Sequence, residues 1–178
     1  MTALGRQRGA GLAGLARSVI TLWALLGGLL LAAVVLVNVI SVIGGIAWEP
    51  FPGDFEMTEV GVAVAAFAFL PYCQLTGANV TADIFTSKAS PRWIGFFAML
   101  ASLVALAFSL LLLWRMFFGL LDQKAYGYTT TILQFPHWIA FIPILLSLAL
   151  LAVAALLTLG DSFGQMTRPD GRRALENA

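Results

Sequence analysis

The sequence predicts an all-α integral membrane protein with four transmembrane helices and both termini in the cytoplasm. Three observations carry this. First, the stretches 18–48, 60–82, 93–114 and 125–160 contain no Asp, Glu, Lys or Arg. Each is long enough to cross a hydrocarbon core, which takes about 20 mainly apolar residues. Second, the 178 residues are 60% hydrophobic and 11% charged, with a mean hydropathy of +0.92; soluble domains carry about 25% charged residues. Third, the basic residues are distributed unevenly. Arg6, Arg8 and Arg17 precede the first span, Lys88 and Arg92 lie in the second loop, and Arg168, Arg172 and Arg173 follow the last span. Only Arg115 and Lys124 fall near the third loop, and the first loop has no base. The positive-inside rule then places both tails and the second loop in the cytoplasm, with loops one and three outside.

The elements follow in chain order. Residues 1–16, rich in Gly and Ala, read as a cytoplasmic tail. The first span covers about 17–43; its apolar run is too long for a signal-peptide core of about 7–15 residues. Asn38 and Ser41 share one of its faces, and polar groups in hydrocarbon seek partners on neighbouring helices. Gly44 and Gly45 are expected to end it. Two prolines in Trp48-Glu49-Pro50-Phe51-Pro52 then prevent regular helix, and Trp48, Phe51 and Phe55 suit a membrane–water interface. Asp54 reads as the N-cap of a second span over about 55–76. Glu56 and Glu59 fall on one face of its first turns, where acids complement the helix dipole. Pro71 predicts a kink or break near its end.

Residues 77–85 alternate polar and apolar positions and are expected at the interface rather than across the membrane. Ser90-Pro91 is a helix start, with Ser as N-cap and Pro at the first helical position. It opens a uniformly apolar third span over about 91–121, suited to lipid or to a larger apolar partner. Arg115 near its end is placed to snorkel or to meet Asp122 or Glu56. The third loop, 122–135, holds Tyr126, Tyr128 and three threonines, a candidate docking surface outside the membrane. Pro136 opens a fourth span over about 136–159, with Pro143 inside it, and 161–178 read as a cytoplasmic tail.

Several functions are excluded or disfavoured. No basic cluster suits nucleic acid. The single cysteine, Cys73, rules out an intramolecular disulfide, and the single histidine, His137, rules out a bis-His haem. No P-loop, HExxH or GxSxG motif is present, and no cofactor or metal is expected. No acid or base lies deep inside a span, where proton-coupled carriers keep one. The chain reads as a non-catalytic subunit. The alternative is a homo-oligomeric channel or exporter, whose pore could draw only on Asn38, Ser41, Tyr72, Gln74, Ser102 and Ser109.

The order of features resembles the small membrane subunit, DctQ type, of tripartite ATP-independent periplasmic (TRAP) transporters, over roughly residues 15–160. The resemblance rests on the acid-led second span with Glu59, followed by Gly77, Asn79 and Asp83 in a Gly-x-(His)-x-x-x-Asp pattern. Asn79 stands where members often carry His. It rests also on Thr129 to Thr131 leading to Pro136 and Trp138. The resemblance implies a bacterial inner-membrane subunit of a sodium-driven importer of an organic acid. Its implied partners are a large multi-span permease, which carries the substrate and sodium sites, and a periplasmic solute-binding protein, with membrane lipid around them. Glu56, Glu59, Gly77, Asn79, Asp83, Pro136 and Trp138 are then expected at structural or subunit interfaces. Tyr126, Tyr128 and Thr129 are expected to dock the binding protein.

Overall fold

The computed structural model describes residues 3–49, 51–78 and 91–167. It contains four helices long and apolar enough to cross a membrane: α1 (Ala3–Ala47), α2 (Asp54–Thr76), α3 (Pro91–Tyr126) and α4 (Trp138–Thr167). Three of them reach well beyond the expected spans. α1 runs through the segment read as a tail and through Gly44-Gly45. α3 continues five residues past 121, and α4 runs through Gly160 to Thr167. Glycine weakens a helix by only about 1 kcal/mol, too little to stop one already propagating. Pro71 does not end α2 either; it is fully buried within the helix.

Chain order and spatial order differ. α4 packs extensively against both α2 and α3, while α1 packs on α2 and touches α4 lightly. Across the molecule the sequence is α1, α2, α4, α3. The helices therefore form an open row with α2 and α4 in the middle, not a closed four-helix bundle.

The contacts explain this order. On α1 Ile20, Ala24, Gly27, Val34 and Ser41 are buried, with Leu31 and Asn38 half-buried between them; these positions alternate by three and four, the narrow seam of a helix meeting one neighbour. Opposite them α2 offers Gly61, Ala65 and Ala68, all buried. Without a hydrophobic force between helices in lipid, association depends on close van der Waals approach, and small residues permit it. α3 turns Ser102 and Ser109 inward at the same seven-residue interval.

Polar side chains tie the row together at two levels. Trp23 Nε1 donates to Ser147 Oγ (2.9 Å), which donates to the Pro143 carbonyl (2.8 Å). Further along, Thr158 Oγ1 accepts from Gln74 Nε2 (3.0 Å) and Ser102 Oγ (3.1 Å), joining α2, α3 and α4. Its own proton goes to the Ala155 carbonyl (3.1 Å). Thr158→Val keeps the shape and removes this junction. It should lower stability by about 1 kcal/mol in a detergent unfolding titration, while Thr158→Ser stays near wild type. A valine variant as stable as the parent would mean that the junction contributes nothing.

At the same end, Arg17 pairs with Asp161 at 2.6 Å, the one ion pair among the described residues. The start of the first apolar run and the end of the last therefore lie on one side. Of the two expectations for Arg115, the ion pair with Asp122 or Glu56 does not form.

Candidate functional site

Opposite the Arg17–Asp161 end, the first and third loops meet. The first loop closes on Gly53, which is buried and holds φ +83°. A side chain there is disfavoured by the backbone and by space, because a Cβ would lie 2.5 Å from Leu133 Cγ. Gly53, not Asp54, is the N-cap of α2, and no side chain caps the helix. Asp54 is the first helical residue. Its carboxylate accepts from Ser41 Oγ and from the Phe55 N–H, and Ser41 Oγ accepts the Phe51 N–H at 3.2 Å. Asn38 Nδ2 donates to Thr58 Oγ1 at 2.6 Å. The shared face of Asn38 and Ser41 thus anchors the end of α1 to the start of α2.

The third loop is an ordered hairpin. Gly127, at φ +62°, ends α3; the following residues turn back through a single antiparallel bridge between Thr129 and Pro136. The Thr130 N–H donates to the Phe135 carbonyl (3.0 Å), and the His137 N–H to the Tyr128 carbonyl (3.1 Å). Thr130 is buried, and its hydroxyl accepts the Phe135 N–H at 3.0 Å. Pro136 therefore closes the hairpin, and α4 begins two residues later than expected, with the Pro136 carbonyl accepting the Ile139 N–H. Lys124 Nζ lies 5.6 Å from the centre of the Trp138 ring, within range of a cation–π contact.

Glu56 joins the two loops. One carboxylate oxygen accepts the Ile132 N–H at 2.7 Å and the other accepts the Leu133 N–H at 2.9 Å. Such charge-assisted bonds are the stronger kind, and a carboxylate taking two adjacent amides fixes both the position and the angle of the hairpin tip. Glu56 thus lies at the interface between loops of this chain. Glu59 does not share the contact: it is exposed on α2 and has no hydrogen-bond partner among the described residues.

The clamp presents an aromatic surface. Tyr126 is 73% and Tyr128 54% exposed, with ring centres 5.8 Å apart. Thr129 beside them is exposed and donates to Gln134 Oε1. The three residues expected to dock a soluble protein are therefore contiguous and outward-facing.

Gly77 lies at the opposite end. It caps α2 at φ +68°, where its N–H and that of Ala78 reach the Gln74 and Cys73 carbonyls. A left-handed residue after the last turn satisfies carbonyls that the helix leaves open. Among the described residues no atom would meet a Cβ at Gly77, so Gly77→Ala should cost only the backbone term, about 1 kcal/mol. Gly77→Asn should recover part of it, and equal unfolding midpoints for all three proteins would refute the assignment. Asn79 and Asp83 lie outside the described residues.

Glu56, Tyr128, Thr129 and Pro136 come together in one assembly, with Tyr126 and Trp138 at its edges. Their partners Gly53, Ile132 and Leu133 are not among the residues expected from sequence. Two of these act through backbone amides, which carry no side-chain signature. Gly53 after Pro-x-Pro was the one available cue, since glycine is the default where φ is positive.

Five of the six polar residues that a pore could draw on are engaged within the chain. Asn38 and Ser41 bond to the start of α2, Gln74 and Ser102 to Thr158, and Ser109 Oγ to its own helix at the Leu106 carbonyl. No group of three or more His, Cys, Asp or Glu among the described residues could hold a metal ion.

The family model described as tripartite ATP-independent periplasmic transporters, DctQ component, matches residues 47–164, more than half of the chain, from the end of α1 into the last turn of α4. No curated protein and no solved structure matches.

Proposed function

The chain belongs to the DctQ component family and is a small subunit of a TRAP transporter; from that premise we propose that it braces the large permease of a sodium-driven importer of an organic acid and helps dock the solute-binding protein. Its role is non-catalytic, and it works in a bacterial inner membrane with both termini cytoplasmic. The family match across 47–164 carries this reading. The orientation is supported by eight of the ten basic residues lying on the side assigned to the cytoplasm. The hairpin and its tyrosines then face the periplasm, where the binding protein approaches. The extensive exposed apolar surface of α1 and α3 suits a permease helix on one side and lipid on the other.

We assign Gly77, Asn79 and Asp83 to the cytoplasmic end of the subunit, steadying the link between the second and third spans against the permease. Asp83→Ala should reduce recovery of the permease more than it reduces receptor docking. Equal recovery would remove Asp83 from that role.

The deciding experiment is purification of the tagged full-length chain in mild detergent, with the co-purifying proteins identified. Recovery of one large multi-span protein in about equal amount, and sodium-dependent uptake of an organic acid by the reconstituted set with its binding protein, are the expected results. Recovery of the chain only with itself would favour a homo-oligomeric channel or exporter.

A further inference from the structure

α1 and α4 meet at Trp23–Ser147 and part above it. The parting leaves a cleft of about 770 Å³ with α2 as its back wall and the 130–136 hairpin as its roof. The volume is that of a small-ligand site, about 300–1,000 Å³. The walls are apolar, with Leu30 and Val37 from α1, Val64 from α2, and Ile139 and Pro143 from α4. Side-chain charge and amide groups appear only under the roof, at Glu56 and Gln134. A ligand for this cleft has one apolar body and one polar end.

The geometry points to a single phospholipid of the hairpin-side leaflet, with an acyl chain in the cleft and an ammonium-bearing headgroup at Glu56. Length argues against a partner helix. The α1 wall from Leu30 to Val37 rises about 10 Å, whereas a spanning helix needs about 30 Å of groove, and this cleft is closed above and below. Charge argues for the headgroup. Glu56 accepts two neutral amides and has no basic partner among the described residues, where Arg17–Asp161 is the one ion pair. The 48–59 segment around it carries Glu49, Asp54, Glu56 and Glu59 and no Lys or Arg. Its two oxygens offer about four acceptor sites; the Ile132 and Leu133 amides take two, and the Thr130 hydroxyl and Thr131 amide lie near the others. An anionic headgroup would be repelled there.

The site belongs to this chain itself, so its test does not pass through transport. The full-length chain, with whatever partners it retains, is placed in nanodiscs containing phosphatidylethanolamine or phosphatidylglycerol bearing a diazirine on the acyl chain. After irradiation the labelled peptides are mapped. Label should concentrate on 30–37, 60–64 and 139–143, about fivefold higher from the ethanolamine lipid, the effect of one favourable charge at a membrane surface. Ala33→Trp, from an exposed position on the cleft wall, should abolish cleft labelling. Leu146→Trp, exposed on α4 and outside the cleft, should leave it unchanged. Glu56→Gln should equalise the two lipids. Label spread evenly over the exposed faces would overturn the proposal, as would equal labelling of the wild type by both lipids. Occupation of the cleft by a co-purified protein or a second copy would also overturn it.

Discussion

Gly27→Leu should force α1 away from α2 and lower stability by about 3 kcal/mol, the upper end of the usual range for overpacking. A Cβ at Gly27 would lie 2.7 Å from Ala68 Cβ, well inside the 3.5–4.0 Å optimum for carbon pairs. Neither atom can rotate away, because a Cβ is fixed to its backbone, so the helices must separate. Gly61 repeats the situation two turns further along. A Cβ there would sit 2.4 Å from Val34 Cγ2, and a β-branched side chain in a helix has essentially one rotamer. The measurement is a detergent unfolding titration. Gly61→Ala should be destabilising alone and largely rescued by Val34→Ala, a coupling that a double-mutant cycle isolates. Wild-type stability for Gly27→Leu would show that the helices are not this close.

Glu56→Ala should release the 128–137 hairpin while leaving the four helices folded. The two amides it holds, Ile132 and Leu133, should lose their protection from hydrogen exchange. The Thr129–Pro136 bridge should loosen with them, while the cores of α2 and α4 exchange as before. Binding of the partner solute-binding protein should weaken as much as it does in Tyr126→Ala, for which truncation of an interface tyrosine gives about tenfold. Glu59→Gln, lacking any such contact, should change neither readout. Gly53→Ala should loosen the same junction from the other loop. Leu133→Ala should rescue only the steric part of that defect, because the φ of +83° remains unfavourable. Retained protection at Ile132 and Leu133 in Glu56→Ala would mean that the hairpin holds itself. Lost protection with undiminished docking would move the docking surface elsewhere.

The two experiments address what was least visible in the sequence. Glu56 and Glu59 have the same charge, one turn apart, and as letters they are equivalent. They separate because Glu56 faces the side of α2 over which the hairpin folds, and Glu59 does not. Likewise Gly27 and Gly28 are neighbours, yet only Gly27 faces Ala68 closely; a Cβ on Gly28 would have ordinary 3.9 Å contacts with the Phe69 ring. The extra turns of α1, α3 and α4 were missed for a related reason. Gly44-Gly45, Asp122 and Gly160 are weak helix breakers, and a local cue of about 1 kcal/mol does not stop a helix already propagating.

By itself the sequence determined the class and the number of spans, together with the family resemblance carried by Gly77 and the Thr-rich approach to Pro136 and Trp138. These are properties that hydrocarbon imposes residue by residue: a bilayer excludes charge and requires every backbone group to be bonded within a helix. Only the tertiary structure decided which helices touch, the α1–α2–α4–α3 order, the cleft between α1 and α4, and the clamp of Glu56 on the hairpin. In lipid every apolar face is equally content against a tail or a neighbour, so the choice falls to close approach at a few glycines and alanines and to hydrogen bonds between residues as far apart as Glu56 and Leu133. Such pairings depend on angle and separation in space, and a one-dimensional pattern does not contain them.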